Sequence, residues 1–117
     1  KNLTMDMIDK YNDKPWNWFW ISRAKNLTMK IVEKYHNKSW DWSYISRNPN
    51  LTMYMIDKYP DKLWDWNAIS KNPNLTIEIL EKYSDKPWDW KIISNILLKK
   101  DKSLIILQKY KENFEHF

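Results

Sequence analysis

Apolar residues recur along this chain with a period of 24 residues. Leu3, Met5, Met7, Ile8 and Tyr11 come first, a polar stretch runs to Lys14, and Trp16, Trp18 and Ile21 complete the unit before the same spacing restarts at Leu27, Leu51 and Leu75. Asn-Leu-Thr opens each unit, at 2 to 4, 26 to 28, 50 to 52 and 74 to 76, which sets the units at 2–25, 26–49, 50–73 and 74–97. A fixed period of roughly 20 to 50 residues marks a solenoid or array, in which each unit buries its apolar face against its neighbours. The chain reads as one elongated repeat domain over 1–117, and a start on Lys1 at a unit boundary fits a piece of a longer array.

Within a unit, the first apolar cluster has the spacing of a short helix: Met5, Met7, Ile8 and Tyr11 fall on one stripe. Thr4, Thr28, Thr52 and Thr76 stand where an N-cap hydroxyl accepts from the free amides of the first turn. Leu3 with Ile8 then forms a hydrophobic staple across the cap, repeated by Leu27 with Val32, Leu51 with Ile56 and Leu75 with Leu80. Pro60, and the polar Asn12, His36 and Ser84 at the same column, end this helix.

The second half repeats that grammar. Asn17, Asp41, Asp65 and Asp89 are caps, and Trp16 with Ile21, Trp40 with Ile45, Trp64 with Ile69 and Trp88 with Ile93 are staples. A helix of about two turns, α or partly 3-10, is predicted from the second Trp to the Ser of Ile-Ser. Asn-Pro-Asn at 48 to 50 and 72 to 74 stops it. The absence of glycine argues against a β-propeller or β-helix, whose corners call for left-handed backbone. The predicted fold is all-α: an α-solenoid of four 24-residue helix-turn-helix repeats, closed by a capping helix within 98–117, where Leu104, Ile106, Leu107, Lys109 and Tyr110 repeat the first-helix pattern with no Trp-x-Trp after it. The first unit has no comparable cap, so its Met and Trp side chains are expected to lie open.

The consensus formed at 48 to 70 and 72 to 94, Asn-Pro-Asn-Leu-Thr followed by Lys-Tyr and Trp-Asp-Trp, resembles short tandem repeats encoded in many copies by giant nucleocytoplasmic DNA viruses. The likeness covers 2 to 97; Asn17 and Ala24-Lys25 in the first unit and Ser39 in the second depart from it. It implies a viral origin and a repeat architecture, and it carries over no catalytic residue. The layout is also similar to leucine-rich variant repeats, which alternate α with 3-10 helices; that analogy concerns architecture only.

The net charge of +5 is not a property of the repeat, since it runs +1, +2, 0 and −1 from the first unit to the fourth. A surface built to track phosphates would carry a basic surplus in every unit. Without cysteine there is no disulfide framework, thiolate zinc site or thiol nucleophile, which fits an intracellular setting, host cytoplasm or virion. No apolar run is long enough to span a bilayer and no signal-peptide order opens the chain. The two histidines, His36 and His116, do not recur with the repeat, and the carboxylates sit at caps and turns rather than converging as an acid–base pair. No enzyme, cofactor or metal is expected. The four Asn-x-Thr matches use their Thr as a cap, which argues against glycosylation.

Two features remain as candidate chemistry. The Trp columns are read first as core, because an aromatic buries on the order of 150 to 250 Å² and so small a unit needs that bulk. The functional alternative is a row of stacking platforms for bases or a peptide groove, for which Trp18, Trp42, Trp66 and Trp90 are better placed than the staple column. Arg23, Arg47 and Lys71 lie at the end of the second helix, suited to the helix dipole and, secondarily, to nucleic acid. Lys10, Lys34, Lys58 and Lys82, with Lys14, Lys38, Lys62 and Lys86, read as a paired, solvated face. The expected function is a non-enzymatic scaffold presenting an extended surface to a protein partner, or to another copy through the open N-terminal face. Sequence-tolerant single-stranded nucleic-acid binding is the alternative, and no membrane is involved.

Overall fold

The computed structural model describes residues 3–97, so the capping helix expected within 98–117 lies outside the described residues. Among the described residues there are eight helices and no strand. The first helix of each unit is α1 (Met5–Lys10), α3 (Met29–Lys34), α5 (Met53–Lys58) and α7 (Ile77–Lys82); the second is α2 (Trp18–Ile21), α4 (Trp42–Ile45), α6 (Trp66–Ile69) and α8 (Trp90–Leu97). The molecule is elongated, with extents of 51 × 24 × 22 Å. It is a stack of helix pairs with the predicted period.

Each helix begins where its cap dictates. The hydroxyls of Thr4, Thr28, Thr52 and Thr76 accept from the backbone N–H three residues on, at 3.1 to 3.4 Å. Asn17, Asp41, Asp65 and Asp89 do the same for the second helices at 3.1 to 3.2 Å. These bonds satisfy amides that a helix start leaves without a partner. The first helices end without a left-handed residue: the C-cap tyrosines have φ between −112° and −127°, and no described residue has positive φ. The carbonyl of each of those tyrosines accepts the backbone N–H three residues on, from Lys14, Lys38, Lys62 and Lys86, and also an indole. Trp16, Trp40, Trp64 and Trp88 donate Nε1–H to the carbonyls of Tyr11, Tyr35, Tyr59 and Tyr83 at 2.7 to 2.8 Å. One tryptophan thus staples the start of the second helix and closes the end of the first.

Three of the second helices, α2, α4 and α6, are shorter than the two turns expected. In α2, Ile21 and Ser22 N–H make α-type bonds to Asn17 and Trp18, after which Arg23 and Ala24 N–H bond three residues back, at Trp20 and Ile21. The segment is therefore one α turn with a 3-10-type exit, and α4 and α6 match it. Proline is not the whole cause of this stop, because α2 ends at the same point with Lys25 in the proline column. In the fourth unit Ile96 and Leu97 stand where Asn72 and Pro73 terminate α6, and α8 runs on to eight residues.

Four contact types join each unit to the next. Ser22, Ser46 and Ser70, all buried, donate Oγ–H to the carbonyl four residues back and accept the N–H of Asp41, Asp65 and Asp89 at 2.8 to 2.9 Å. Trp18, Trp42 and Trp66 meet Trp40, Trp64 and Trp88 edge to face, with centroids 5.1 to 5.2 Å apart. Asparagines bridge the turns: Asn26 Nδ2–H reaches the Leu3 carbonyl, Asn72 that of Asn48, and Asn74 those of Pro49 and Leu51. Lys34, Lys58 and Lys82 pair with Asp9, Glu33 and Asp57 of the unit before. Between these runs the apolar core of Ile8, Val32, Ile45, Leu51, Ile56, Ile69, Leu80 and Ile93. Among the described residues no buried side-chain nitrogen or oxygen lacks a hydrogen-bond partner.

Candidate interaction surface

The columns that are the same in every unit are occupied by the fold. Trp18, Trp42 and Trp66 are only 7%, 8% and 7% exposed, which corrects the expectation that this column could offer stacking faces. Each indole is covered by the following unit: Trp18 lies against Trp40 and Tyr35, with the Lys38 ammonium 5.7 Å from its ring. Lys62 covers Trp42 and Lys86 covers Trp66 in the same way. Trp90, in the last described unit, is half-buried. Lys38, Lys62 and Lys86 of the second Lys column therefore shield indoles across the unit boundary, and among the described residues none of them makes an ion pair, while Lys14 lies over Tyr11 of its own unit.

On the α1, α3, α5, α7 edge, charges are matched across units. Asp9 accepts from Lys34 at 2.8 Å and also from the Tyr35 hydroxyl. Those two partners, Lys34 first, hold the Asp9 carboxyl below the usual carboxylate range, and Asp9 in turn raises Lys34 and Tyr35. Asp57 repeats this with Lys82 at 2.6 Å and Tyr83 at 2.8 Å, and its carboxyl is lowered for the same reason. The middle boundary differs: Lys58, pushed up by Tyr54 and then by Glu33, holds the ion pair, while Tyr59 stacks on His36 at 4.6 Å.

The α2, α4, α6 edge is different in kind. The three predicted basic residues all sit there, with Arg23 and Arg47 sharing one groove and Arg47 and Lys71 the next. Arg23 pairs with Asp41 at 2.8 Å, donates to the Phe19 carbonyl, and lies over three rings: Phe19 at 4.8 Å, Trp20 at 5.4 Å and Tyr44 at 4.7 Å. Arg47 follows at 5.8 Å from Tyr44. Phe19, Trp20 and Tyr44 are 50%, 66% and 37% exposed, so the open aromatic surface lies one and two positions after the Trp column that the sequence singled out. The signal for them was variation between units: 19, 43, 67 and 91 are Phe, Ser, Asn and Lys, while 20, 44, 68 and 92 are Trp, Tyr, Ala and Ile. Where Tyr44 narrows the groove between the first two units to about 320 Å³, Ala68 leaves the next at about 530 Å³.

A second exposed surface is the N-terminal end of the stack. Met7 is 43% exposed, whereas Ile31, Met55 and Ile79 of the same column are 6%, 1% and 7%. Trp16 is half-buried while Trp40, Trp64 and Trp88 are buried, and Tyr11 is exposed where Tyr35, Tyr59 and Tyr83 are half-buried. Among the described residues no His, Asp and Glu side chains gather in a group able to hold a metal ion, and no helix is long and apolar enough to cross a membrane. The chain matches no protein-family model, no characterised protein and no solved structure.

Proposed function

We propose that the chain is a non-enzymatic tandem-repeat scaffold of viral origin, acting inside the cell, whose extended surface serves protein–protein interaction or assembly. One observation carries the assembly reading: the end face displays the columns that every internal boundary buries. Met7 and Trp16 occupy the columns that receive the preceding unit elsewhere in the stack, and Lys10 and Tyr11 stand where Lys34 and Tyr35 meet Asp9. A further unit of the same type fits this face, whether from a longer array or from a second copy of the chain, and the second copy is the case tested below. The viral origin rests on the resemblance of the repeats. Nucleic-acid binding is the weaker reading, because its intended stacking column is covered and only the first two of the four units carry a basic surplus.

The test is the molar mass in solution over a wide concentration range, for the chain and for Met7→Lys. Association that rises with concentration and is lost in the variant is expected, with thermal stability unchanged because Met7 is not enclosed. A wild-type chain that stays monomeric throughout refutes assembly through this face.

A further inference from the structure

The groove edge formed by α2, α4 and α6 carries chemistry that neither the core nor the end face uses. Among the described residues no carboxylate pairs with Lys25, Arg47 or Lys71, although every lysine from Lys34 to Lys82 on the opposite edge's first-helix column is paired. Lys25 and Arg47 line one groove with Tyr44 and Lys71 lines the next, while Arg23 lies over Phe19, Trp20 and Tyr44 together, so cations and open rings share this edge. Exposed Trp and Tyr with Arg is the composition of a binding hot spot, in which rigid rings supply contact area at little entropic cost. Arg23 contributes by position rather than charge: bonded to Asp41 and to the Phe19 carbonyl, it fills the space between the three rings and holds them in place.

We propose that this edge binds an extended, acidic polypeptide segment with one apolar side chain as anchor. The anchor packs on Phe19 and Trp20. The segment then follows the grooves past Tyr44 to the wider space at Ala68, where its carboxylates meet Arg47 and Lys71. Two observations favour polypeptide over a nucleic-acid strand. A strand needs stacking platforms at regular spacing, yet the column of Trp20 and Tyr44 continues as Ala68 and Ile92. Each ring also already has the Arg23 guanidinium over it, which leaves edges and partial faces suited to a side chain more than to a stacked base. The proposal rests on reading the chain as a protein-binding scaffold and is independent of assembly through the end face.

The probe is a fluorescein-labelled peptide of about twelve residues, Glu-rich with a central Leu, which at roughly 3.3 Å per residue reaches about 40 Å along a molecule 51 Å in its longest extent. Its controls are the same peptide with Gln for every Glu, and an oligodeoxythymidine of similar length. Fluorescence anisotropy is expected to show the Glu peptide bound at least about tenfold more tightly than the Gln peptide, in line with loss of the charge-assisted contacts. Trp20→Ala and Ala68→Tyr are each expected to weaken it about tenfold or more, the range of a hot-spot loss. Ala68→Tyr installs the residue that the second unit carries at the same column, so the fold tolerates it while the groove is filled; an unchanged melting curve checks this. Equal binding of the Glu and Gln peptides overturns the proposal, as does tighter binding of the oligodeoxythymidine or silence from all three probes. Peptide binding unaffected by both variants removes the site but leaves the scaffold reading in place.

Discussion

Truncating Trp64 and Trp16 to alanine makes the same covalent change at the same column in two different settings. Trp64 is 6% exposed, donates to the Tyr59 carbonyl at 2.8 Å and lies edge to face with Trp42 at 5.2 Å. Loss of a buried Trp side chain with its residual cavity costs about 3–5 kcal/mol. The Tyr59 carbonyl keeps the Lys62 N–H and loses its second bond, which adds at most about 1 kcal/mol, and the ring pair adds about 0.5–1.5 kcal/mol, part of it already in the first figure. The expected total for Trp64→Ala is about 4–6 kcal/mol, much of the roughly 5–15 kcal/mol that holds a domain together. Trp16 makes the same indole bond, to Tyr11 at 2.8 Å, but is half-buried and among the described residues no ring stacks on it. Water can replace its bond to the exposed carbonyl, leaving about 1–2 kcal/mol of apolar burial to lose.

Urea unfolding followed by circular dichroism separates the two. A gap of about 3 kcal/mol at a slope of roughly 1–3 kcal/mol per molar places the midpoints about 1–3 M apart, with Trp64→Ala the lower. Equal midpoints would show that packing between units contributes nothing beyond what each unit supplies alone, and the account of the stack as a nearest-neighbour array would fall.

Ser46→Ala removes a hydroxyl that the Asp65 N–H needs; because Ser46 is fully buried, the loss is expected to cost about 1–3 kcal/mol, whereas Ser94→Ala, whose Oγ among the described residues donates to the Lys91 carbonyl and accepts from no backbone N–H, is expected to fall within about 0.5 kcal/mol by the same denaturation assay. Trp20→Ala is expected to leave the melting temperature unchanged, since the ring is two-thirds exposed, and a clear drop would show that its contact with Arg23 supports the fold. Stability against pH is expected to form a plateau. Asp9 and Asp57 titrate below their unfolded values, so their contribution is present above about pH 4 and is lost as pH falls through the folded values; Lys34, Lys82, Tyr35 and Tyr83 titrate above theirs, so theirs is present below about pH 10 and is lost as pH rises further. The double variant Asp9→Asn with Asp57→Asn should flatten the acid limb in melts taken from pH 2 to 6, and an unaltered limb would assign it to other carboxylates.

What could be read from the residues was whatever a unit settles by itself. Thr4 and Asn17 cap helices, Leu3 and Trp16 staple them, and these depend only on neighbours within about five positions. The fate of Trp18 could not be read that way, because the groups that cover it, Tyr35, Lys38 and Trp40, belong to the next unit. The same holds for charge: Lys34 finds Asp9 at a separation of 25 residues, one more than the repeat, while the second Lys column, read from the sequence as paired, makes no ion pair among the described residues. The open aromatic cluster escaped for a different reason. Reading a repeat by its constant columns selects the residues that stack units, and Phe19, Trp20 and Tyr44 lie in columns that change.

Every contact type between units has a direction. A carboxylate of one unit accepts from a lysine of the next, a serine accepts the N–H of the next cap, and a Trp18-type ring receives the next Trp40-type ring. The two faces of a unit are therefore complementary and not alike, so two N-terminal faces cannot meet with the contacts used inside the stack. Association that reuses these contacts is heterologous, and a heterologous contact with no closing rotation grows into an open series. The first-helix pattern in the sequence of 98–117 predicts a cap, and a cap there would compete for the opposite face and limit that growth. Deleting 98–117 is thus expected to turn weak association into a distribution of successively larger species in sedimentation velocity, with Met7→Lys abolishing it. A single symmetric dimer, unchanged in size by the deletion, would mean that the end face binds by contacts unlike those between units, and the inference from Met7 and Trp16 would fail.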